Sequence, residues 1–252
     1  MKVLVTGATG FIGSQLARLA LQQGCEVYAL LRRESNPWRI QDLLPKLQVI
    51  EGNLLDTTGD WLGRVQELRP ELCFHFAWYA EPGVFLSSPL NLSYLAASLA
   101  LAERLAEAGC RKLVIAGSFS EYDQSLGYLS EASALEPNTV YGSAKVALYQ
   151  ALALWAPAAG VELLWPRIFS VYGPAEHEKR FVPAVILSTL RGEPTRLTPG
   201  EQMRDYLHVA DAAEAVWAAA QSGMVGPVNV ASGRPVMLRE LALQLGELLG
   251  HP

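Results

Sequence analysis

The chain has 252 residues, half of them apolar, and 20 Lys and Arg against 25 Asp and Glu give a net charge of −5. A chain of this length and composition buries enough apolar surface to fold as one large domain or two small lobes, which excludes disorder. The mildly acidic balance excludes nucleic acid and anionic membranes as partners, because neither attracts a surface of the same sign.

Neither export nor membrane insertion is expected. The first apolar run meets Gly7 at once, so it does not form a signal peptide, and the uncharged stretch 82–102 contains prolines and polar residues that hydrocarbon rejects. The cysteines lie far apart, at Cys25, Cys73 and Cys110. They predict reduced thiols in a cytoplasmic protein. No metal site is expected, because metal-ligand spacing is absent among the histidines, which are His75, His177, His208 and His251.

Short apolar runs alternate with stretches of helical period through the first 165 residues. The predicted strands are 2–6, 26–31, 47–50, 71–76, 112–116 and 161–165. The predicted helices are 11–23, 90–108 and 140–155. This alternation predicts an α/β fold, a Rossmann-type doubly wound parallel sheet with helices on both faces.

The rhythm becomes irregular after Pro166, where glycines and prolines interrupt the chain. This irregular part predicts a second, smaller C-terminal lobe. Helical period returns at 207–221 and 237–249, on either side of a predicted strand at 228–230.

Three glycines separate the first strand from the first helix, at Gly7, Gly10 and Gly13. Gly7 permits a tight turn, Gly10 lets the backbone approach a pyrophosphate, and Gly13 lets the helix pack closely on the strand. The helix N-terminus adds partial positive charge. A glycine turn at the first strand–helix junction therefore predicts a dinucleotide site.

Two arginines, Arg32 and Arg33, follow the second strand about twenty residues beyond the last glycine. An acidic residue at this point binds the ribose of NAD, whereas arginine suits the additional phosphate of NADP. Leu31 occupies the position expected for the acid. We therefore expect NADP(H) as the cofactor. NAD is the alternative if Glu34 is the acidic residue that binds the ribose.

Tyr141 and Lys145 are one helical turn apart, so both side chains emerge on one helix face. An adjacent ammonium lowers the pKa of a phenol and makes it a better proton donor. Ser118 follows the strand 112–116, at the sheet edge where a hydroxyl can hydrogen-bond a substrate carbonyl. Glu121 is interpreted as a solvated loop carboxylate rather than a second proton carrier.

Six motifs occur in the order typical of one family. They are TGATGFIG at 6–13, GS at 117–118 with EY at 121–122, YGSAK at 141–145, PRIF at 166–169 with YGP at 172–174, RDYLHV at 204–209 with Asp211, and NVASG at 229–233. With these motifs the chain resembles the extended short-chain dehydrogenase/reductase family, in its branch of NAD(P)-dependent nucleotide-sugar epimerases, dehydratases and reductases.

The resemblance implies that Tyr141 is the acid/base, that Lys145 holds the nicotinamide ribose and that Ser118 polarises the reacting carbonyl. Besides the glycine turn and the two arginines, it implies a cofactor groove lined by Phe11, Ile12, Asn53, Leu54, Ala77 and Phe169. The implied substrate residues are Trp78, Tyr79, Ser170 and Arg204, with the arginine near the diphosphate. The aromatic pair Trp78 and Tyr79 has core packing as its alternative role.

Departures from the family pattern narrow the reaction. Phe119 and Ser120 stand where 4,6-dehydratases have Asp-Glu, and Ser120 also replaces the cysteine of bifunctional epimerase-reductases. The expected activity is reduction of a nucleoside-diphosphate 4-keto-6-deoxyhexose. The alternatives are a 4-epimerase with tightly bound NAD and a non-catalytic cofactor-sensing module.

The resemblance also predicts organisation and assembly. Residues 1–167 with 205–231 form the predicted dinucleotide-binding domain, and 168–204 with 232–252 form a shortened substrate-binding lobe. The helix after residue 140 is apolar on almost all sides, so one face can pack on the sheet while the opposite face needs another apolar surface to pack against. A homodimer through the helices 90–108 and 140–156 is therefore expected.

Overall fold

The protein is described as a computed structural model that covers residues 1–194 and 197–250. The sequence assignments at His251 and at the end of the C-terminal lobe lie outside these described residues. In chain order the elements are β1 (Lys2–Thr6), α1 (Phe11–Gln22), β2 (Glu26–Leu31), β3 (Gln48–Glu51), α2 (Trp61–Leu68), β4 (Leu72–His75), α3 (Leu90–Glu107), β5 (Lys112–Ile115), β6 (Gly117–Ser118), α4 (Val140–Ala158), β7 (Glu162–Ile168), β8 (Ser170–Tyr172), α5 (Phe181–Arg191), β9 (Met203–His208), α6 (Val209–Gln221), β10 (Gly226–Val230), β11 (Pro235–Met237) and α7 (Leu238–Leu248).

Most strands form one parallel sheet in the order β10-β7-β5-β4-β1-β2-β3, with β6 paired to β7. One buried core lies between the sheet and the helices α1 and α6. The other lies between the sheet and the helices α2, α3 and α4. Burial on both faces explains why β1, β4 and β5 are almost continuously apolar. The predicted doubly wound sheet is confirmed.

Pro166 lies inside β7, so the strand predicted to end at residue 165 continues to Ile168. The sheet register pairs Val114 with Leu164 and then Gly117 with Arg167, which leaves a break beside the proline. Proline has no N–H to donate to a strand ladder. The break therefore makes β6 a separate two-residue strand in the same register as β5.

A second sheet holds β11, β9 and β8, with β8 parallel and β11 antiparallel to β9. The helix predicted from residue 207 is wrong at its start, because Leu207 pairs with Val171 and the strand runs to His208. The His208 ring then caps α6 by accepting from Ala210 N at 3.3 Å. The expected domain boundary at 204/205 falls inside β9.

The carboxyl ends of β1, β4 and β6 meet at one edge of the large sheet, and α4 begins above the same edge. Parallel sheets bind ligands at this edge. No helix within residues 1–194 and 197–250 is both long and apolar enough to cross a membrane.

Candidate active site

The glycine turn is packed against the backbone that follows β4. Gly7 has φ +74°, and a Cβ at this position would lie 2.6 Å from Ala77 N. A Cβ at Gly13 would collide with the Gly7 carbonyl, and Gly10 N donates to the same carbonyl at 2.8 Å. Side chains at these glycine positions would disrupt the close packing of the turn. The turn also places the N-terminus of α1 at the sheet edge. This arrangement fits a dinucleotide pyrophosphate.

A chain of buried polar side chains supports this turn. Thr6 Oγ1 lies 2.7 Å from His75 Nδ1, and His75 Nε2 lies 2.8 Å from Ser98 Oγ. Burial lowers the pKa of His75 to about 3, so the ring is neutral. Ala77 N donates to Thr6 Oγ1 at 3.3 Å. The ends of β1 and β4 are therefore joined directly beneath the glycine turn.

The other expected cofactor residues surround the turn in different ways. Phe11 and Ile12 start α1 and pack partly against the core. Asn53 is exposed and its side chain accepts from Leu55 N, whereas Leu54 is buried in the core. The place of Leu54 in the cofactor groove therefore stays a prediction.

Two exposed guanidinium groups lie at the carboxyl end of β2. Arg32 and Arg33 directly follow Leu31, and Arg32 Nε lies 3.6 Å from Glu34 Oε1. The acidic residue therefore pairs with one of the arginines on the same loop. A phosphate at this point would find positive charge available from Arg33.

Ser118 and Tyr141 meet at the edge of the sheet. Ser118 ends β6, and Tyr141 lies in the first turn of α4, which Thr139 caps by accepting from Gly142 N at 3.0 Å. The Ser118 hydroxyl lies close enough to the Tyr141 phenol to act on its pKa. Lys145 Nζ donates to Ala116 O at 2.8 Å, one residue before β6. The three expected catalytic side chains therefore lie in one place.

The electrostatics of this group differ from the sequence prediction. Burial raises the pKa of Tyr141 to about 12, against a smaller lowering contribution from the neighbouring Ser118 hydroxyl. Burial lowers the pKa of Lys145 to about 7, while the charge of Glu121 opposes this shift. Lys145 Nζ lies 5.9 Å from the centroid of the phenol ring. Desolvation of the phenol dominates in this arrangement, and the lowering of its pKa by Lys145 stays a prediction.

Aromatic side chains enclose the phenol and the ammonium. The Trp78 ring lies 3.6 Å from Lys145 Nζ and contacts Tyr141 edge-on, as does Phe85. Trp78 Nε1 donates to the buried Asn91 Oδ1 at 2.8 Å, which fixes the indole plane. Trp78 therefore lies beside Tyr141 and Lys145 in a fixed orientation.

The small lobe adds residues on the Ser118 side. The Phe119 ring lies 5.7 Å from the Phe169 ring and 5.8 Å from Arg204 Cζ. Ser170 starts β8 in register with Tyr206 of β9. Phe169, Ser170 and Arg204 thus come from two strands to one side of the site, while Tyr79 is half-buried after Trp78.

Glu121 corrects the sequence interpretation of a solvated carboxylate. Its side chain is 0% exposed and Arg167 Nε lies 2.8 Å from its Oε2. An unpaired carboxylate is not stable in such a place, and the arginine compensates its charge. The spacing Ser118-x-x-Glu121 is that of a capping box, the signal that would have found it.

Arg39 and Glu176 were also missed by sequence reasoning. Arg39 connects the glycine turn with the segment after β8, because it donates to Thr9 O at 3.2 Å and to Ala175 O at 2.9 Å. Burial raises the pKa of Glu176 to about 7, and its Oε2 has no partner within residues 1–194 and 197–250. No motif or spacing in the sequence distinguishes these two residues from surface charges.

Comparison with known proteins agrees with this geometry. The sequence profile of the NAD dependent epimerase/dehydratase family matches residues 3–231. The chain belongs to this family, and the predicted resemblance is confirmed.

Similar proteins carry out more than one reaction. A UDP-glucose 4-epimerase from Mycolicibacterium smegmatis is 30% identical over 100% of this chain and 84% of its own. The dTDP-6-deoxy-L-talose 4-dehydrogenase (NAD(+)) from Aggregatibacter actinomycetemcomitans is 25% identical over 95% of this chain and 87% of its own. The structure of a Thermus thermophilus UDP-glucose 4-epimerase complexed with NAD superposes with a TM-score of 0.87 at 27% identity, covering 100% of this chain and 84% of that one.

Proposed function

We propose that the chain is an NADP(H)-dependent reductase of a nucleoside-diphosphate 4-keto-6-deoxyhexose. The observation that carries this proposal is the convergence of Ser118 at the end of β6 with Tyr141 and Lys145 at the start of α4, at the same sheet edge as the glycine turn. A hydroxyl donor next to a phenol suits proton transfer to a carbonyl oxygen. A non-catalytic sensing module has no need for such a pair.

The protein side of the reaction is assigned to three residues. Ser118 polarises the substrate carbonyl, and Tyr141 donates its phenolic proton to the carbonyl oxygen. Lys145, with its Nζ 5.9 Å from the centroid of the phenol ring, would hold the nicotinamide ribose. A bound nicotinamide supplies the hydride.

The substrate class is inferred from the opposite side of the site. Arg204 lies within reach of the Phe119 ring next to Ser118, and a guanidinium is suited to a diphosphate because it forms paired hydrogen bonds. Trp78, Tyr79 and Ser170 are proposed to contact the sugar. We assign the Rossmann domain to binding the dinucleotide and the small lobe to binding the substrate. The three thiols suit the cytoplasmic location that we propose.

The preference for NADP(H) over NAD is inferred from Arg32 and Arg33. Because each group would form a charge-assisted hydrogen bond with the 2′-phosphate, replacing both with alanine is expected to raise the KM for NADPH about 10-fold to 100-fold. The KM for NADH is expected to change less than about twofold, since NADH lacks that phosphate. Steady-state kinetics with both dinucleotides measures the effect, with the exposed Arg64→Ala as control. Equal effects on the two cofactors would contradict the preference.

A 4-epimerase with tightly bound NAD is the second candidate. Several similar proteins are UDP-glucose 4-epimerases, and one of them was solved with NAD. The deciding experiment incubates the purified protein with a panel of nucleoside-diphosphate 4-keto-6-deoxyhexoses and NADPH, and in parallel with nucleoside-diphosphate hexoses alone. Oxidation of NADPH in proportion to the keto sugar supports the reductase. Interconversion of 4-epimers by protein that retains NAD through purification would establish the epimerase instead.

The homodimer is inferred from the outer face of α3 and α4. Leu92 is 60% exposed and Leu154 is 85% exposed on these packed helices, and leucines in such positions favour a second apolar surface. Light scattering is expected to give twice the 27.4 kDa chain mass. Leu154→Glu is expected to give the monomer mass, whereas Leu248→Glu on α7, which is 84% exposed, leaves the dimer intact. A monomeric wild-type chain at micromolar concentration would contradict this assembly.

A further inference from the structure

A buried carboxylate lies directly behind the Ser118 hydroxyl. Glu121 is the last residue of a one-turn 3₁₀ helix, Phe119–Glu121, and is 0% exposed. Its carboxylate accepts from Ser118 N at 2.7 Å, from Trp165 Nε1 at 3.0 and 3.1 Å, and from Arg167 Nε at 2.8 Å. A carboxylate is an acceptor with several lone pairs, so it matches a set of contacts that are all donors.

Arg167 makes this charge stable and connects it to the next strand. Its side chain is 1% exposed, and its Nη1 donates to Tyr122 Oη at 3.0 Å. Tyr122 Oη in turn donates to Asn229 Oδ1 of β10 at 2.6 Å. A buried ion pair with its remaining hydrogen bonds satisfied is rigid. Glu121 is therefore fixed to β7 and β10 rather than to a surface loop.

The carboxylate restrains Ser118 through the backbone. With its N–H held by Glu121, Ser118 has φ −151° and ψ 148°, and its Oγ accepts from Ser120 N at 3.1 Å. One lone pair of the hydroxyl is thereby occupied from behind. The O–H hydrogen stays available for donation on the other side of the oxygen, where a substrate carbonyl would lie.

We propose that Glu121 is a positioning residue of the active site, which acts through Ser118 and depends on Arg167 for its charge. Glu121 does not exchange protons with the substrate, because it is enclosed and each of its contacts donates to it. Its effect on the reaction is to hold the Ser118 hydroxyl where the carbonyl oxygen is bound. A displacement of about 1 Å in such a group lowers rates about 100-fold. This inference rests on the proposed role of Ser118 in carbonyl reduction.

A double-mutant cycle separates positioning from general damage. Glu121→Gln is expected to lower kcat about 10-fold to 100-fold, with the dissociation constant for the dinucleotide unchanged. Glu121→Gln added to Ser118→Ala is expected to cause no further loss of kcat, since the group being positioned is already absent. Glu71→Gln is the matched control, because Glu71 also accepts from a backbone N–H, that of Lys2 at 3.0 Å, at the opposite end of the sheet from Ser118. Losses that multiply in the double variant would overturn the proposal.

A second readout does not depend on turnover. The amide proton of Ser118, bonded to a carboxylate, is expected to resonate downfield in the NMR spectrum. It is expected to move upfield in Glu121→Gln but not in Glu71→Gln. An unchanged Ser118 amide in folded Glu121→Gln would overturn the inference. If the wild-type chain reduces no nucleotide-linked keto sugar, the proposed function fails, and the amide shift still decides whether Glu121 holds Ser118. If Glu121→Gln does not fold, the kcat and the Ser118 amide shift are measured in the double variant Glu121→Gln/Arg167→Met instead. That variant removes both charges together.

Discussion

Tyr141→Phe is expected to lower kcat about 100-fold to 10,000-fold, the range found when a positioned acid is removed. The phenol oxygen is the proton donor in the proposed reaction, and phenylalanine keeps the ring that contacts Trp78 and Phe85. The fold and the affinity for the dinucleotide are therefore expected to remain near wild type.

The measurement is the rate of NADPH oxidation at saturating keto sugar, together with dinucleotide binding by fluorescence. Tyr149→Phe is the matched control, because Tyr149 lies two turns further along α4 and packs on Trp165 instead. A Tyr141→Phe enzyme that turns over as fast as the Tyr149→Phe enzyme would remove the phenol from the mechanism.

Arg167→Met is expected to lower the free energy of unfolding by about 3–5 kcal/mol, because it leaves the Glu121 carboxylate buried without its cation. Both side chains of this pair are almost fully enclosed, at 1% and 0% exposure. Adding Glu121→Gln is expected to recover part of the loss, since no unpaired charge then remains.

Urea unfolding measures these differences. Arg104→Met provides the comparison: Arg104 pairs with Glu107 at 2.9 Å, but the two side chains are 48% and 55% exposed. Water screens such a pair, so its loss is expected to change stability by about 1 kcal/mol or less. Similar losses for the two arginine variants would show that burial adds nothing to the Glu121–Arg167 pair.

The sequence predicts well those elements in which the apolar residues recur with one clear helical or strand period. The strand β2 matches its predicted bounds, and α1 differs from its predicted end by one residue. The short helix α2 was missed, because Trp61, Val65 and Leu68 provide just two turns of apolar spacing. Pro166 was read as a strand end, since sequence alone does not show that β7 can carry a proline where its ladder is interrupted.

The site was predicted as far as local motifs reach. Ser118, Tyr141 and Lys145 come together because strand ends of a parallel sheet share one edge, a property of topology that the strand–helix alternation already contains. Their pKa values were not predictable, since desolvation depends on rings such as Trp78 that arrive from another part of the chain. Glu121 was misread for the same reason, because its partner Arg167 is 46 residues away.

Gly142 sets the separation between the phenol and the serine turn. A Cβ at this position would collide with the Ser120 carbonyl and lie 2.8 Å from the Pro137 side chain, so the start of α4 rests directly on the main chain of that turn. Unlike a side chain, the main chain of the turn cannot relieve such a collision by changing rotamer. Substitutions at the exposed Ser143 and Gln150 leave this spacing unchanged, whereas a single added methyl at 142 separates Tyr141 from the turn that carries Ser118 without altering either side chain.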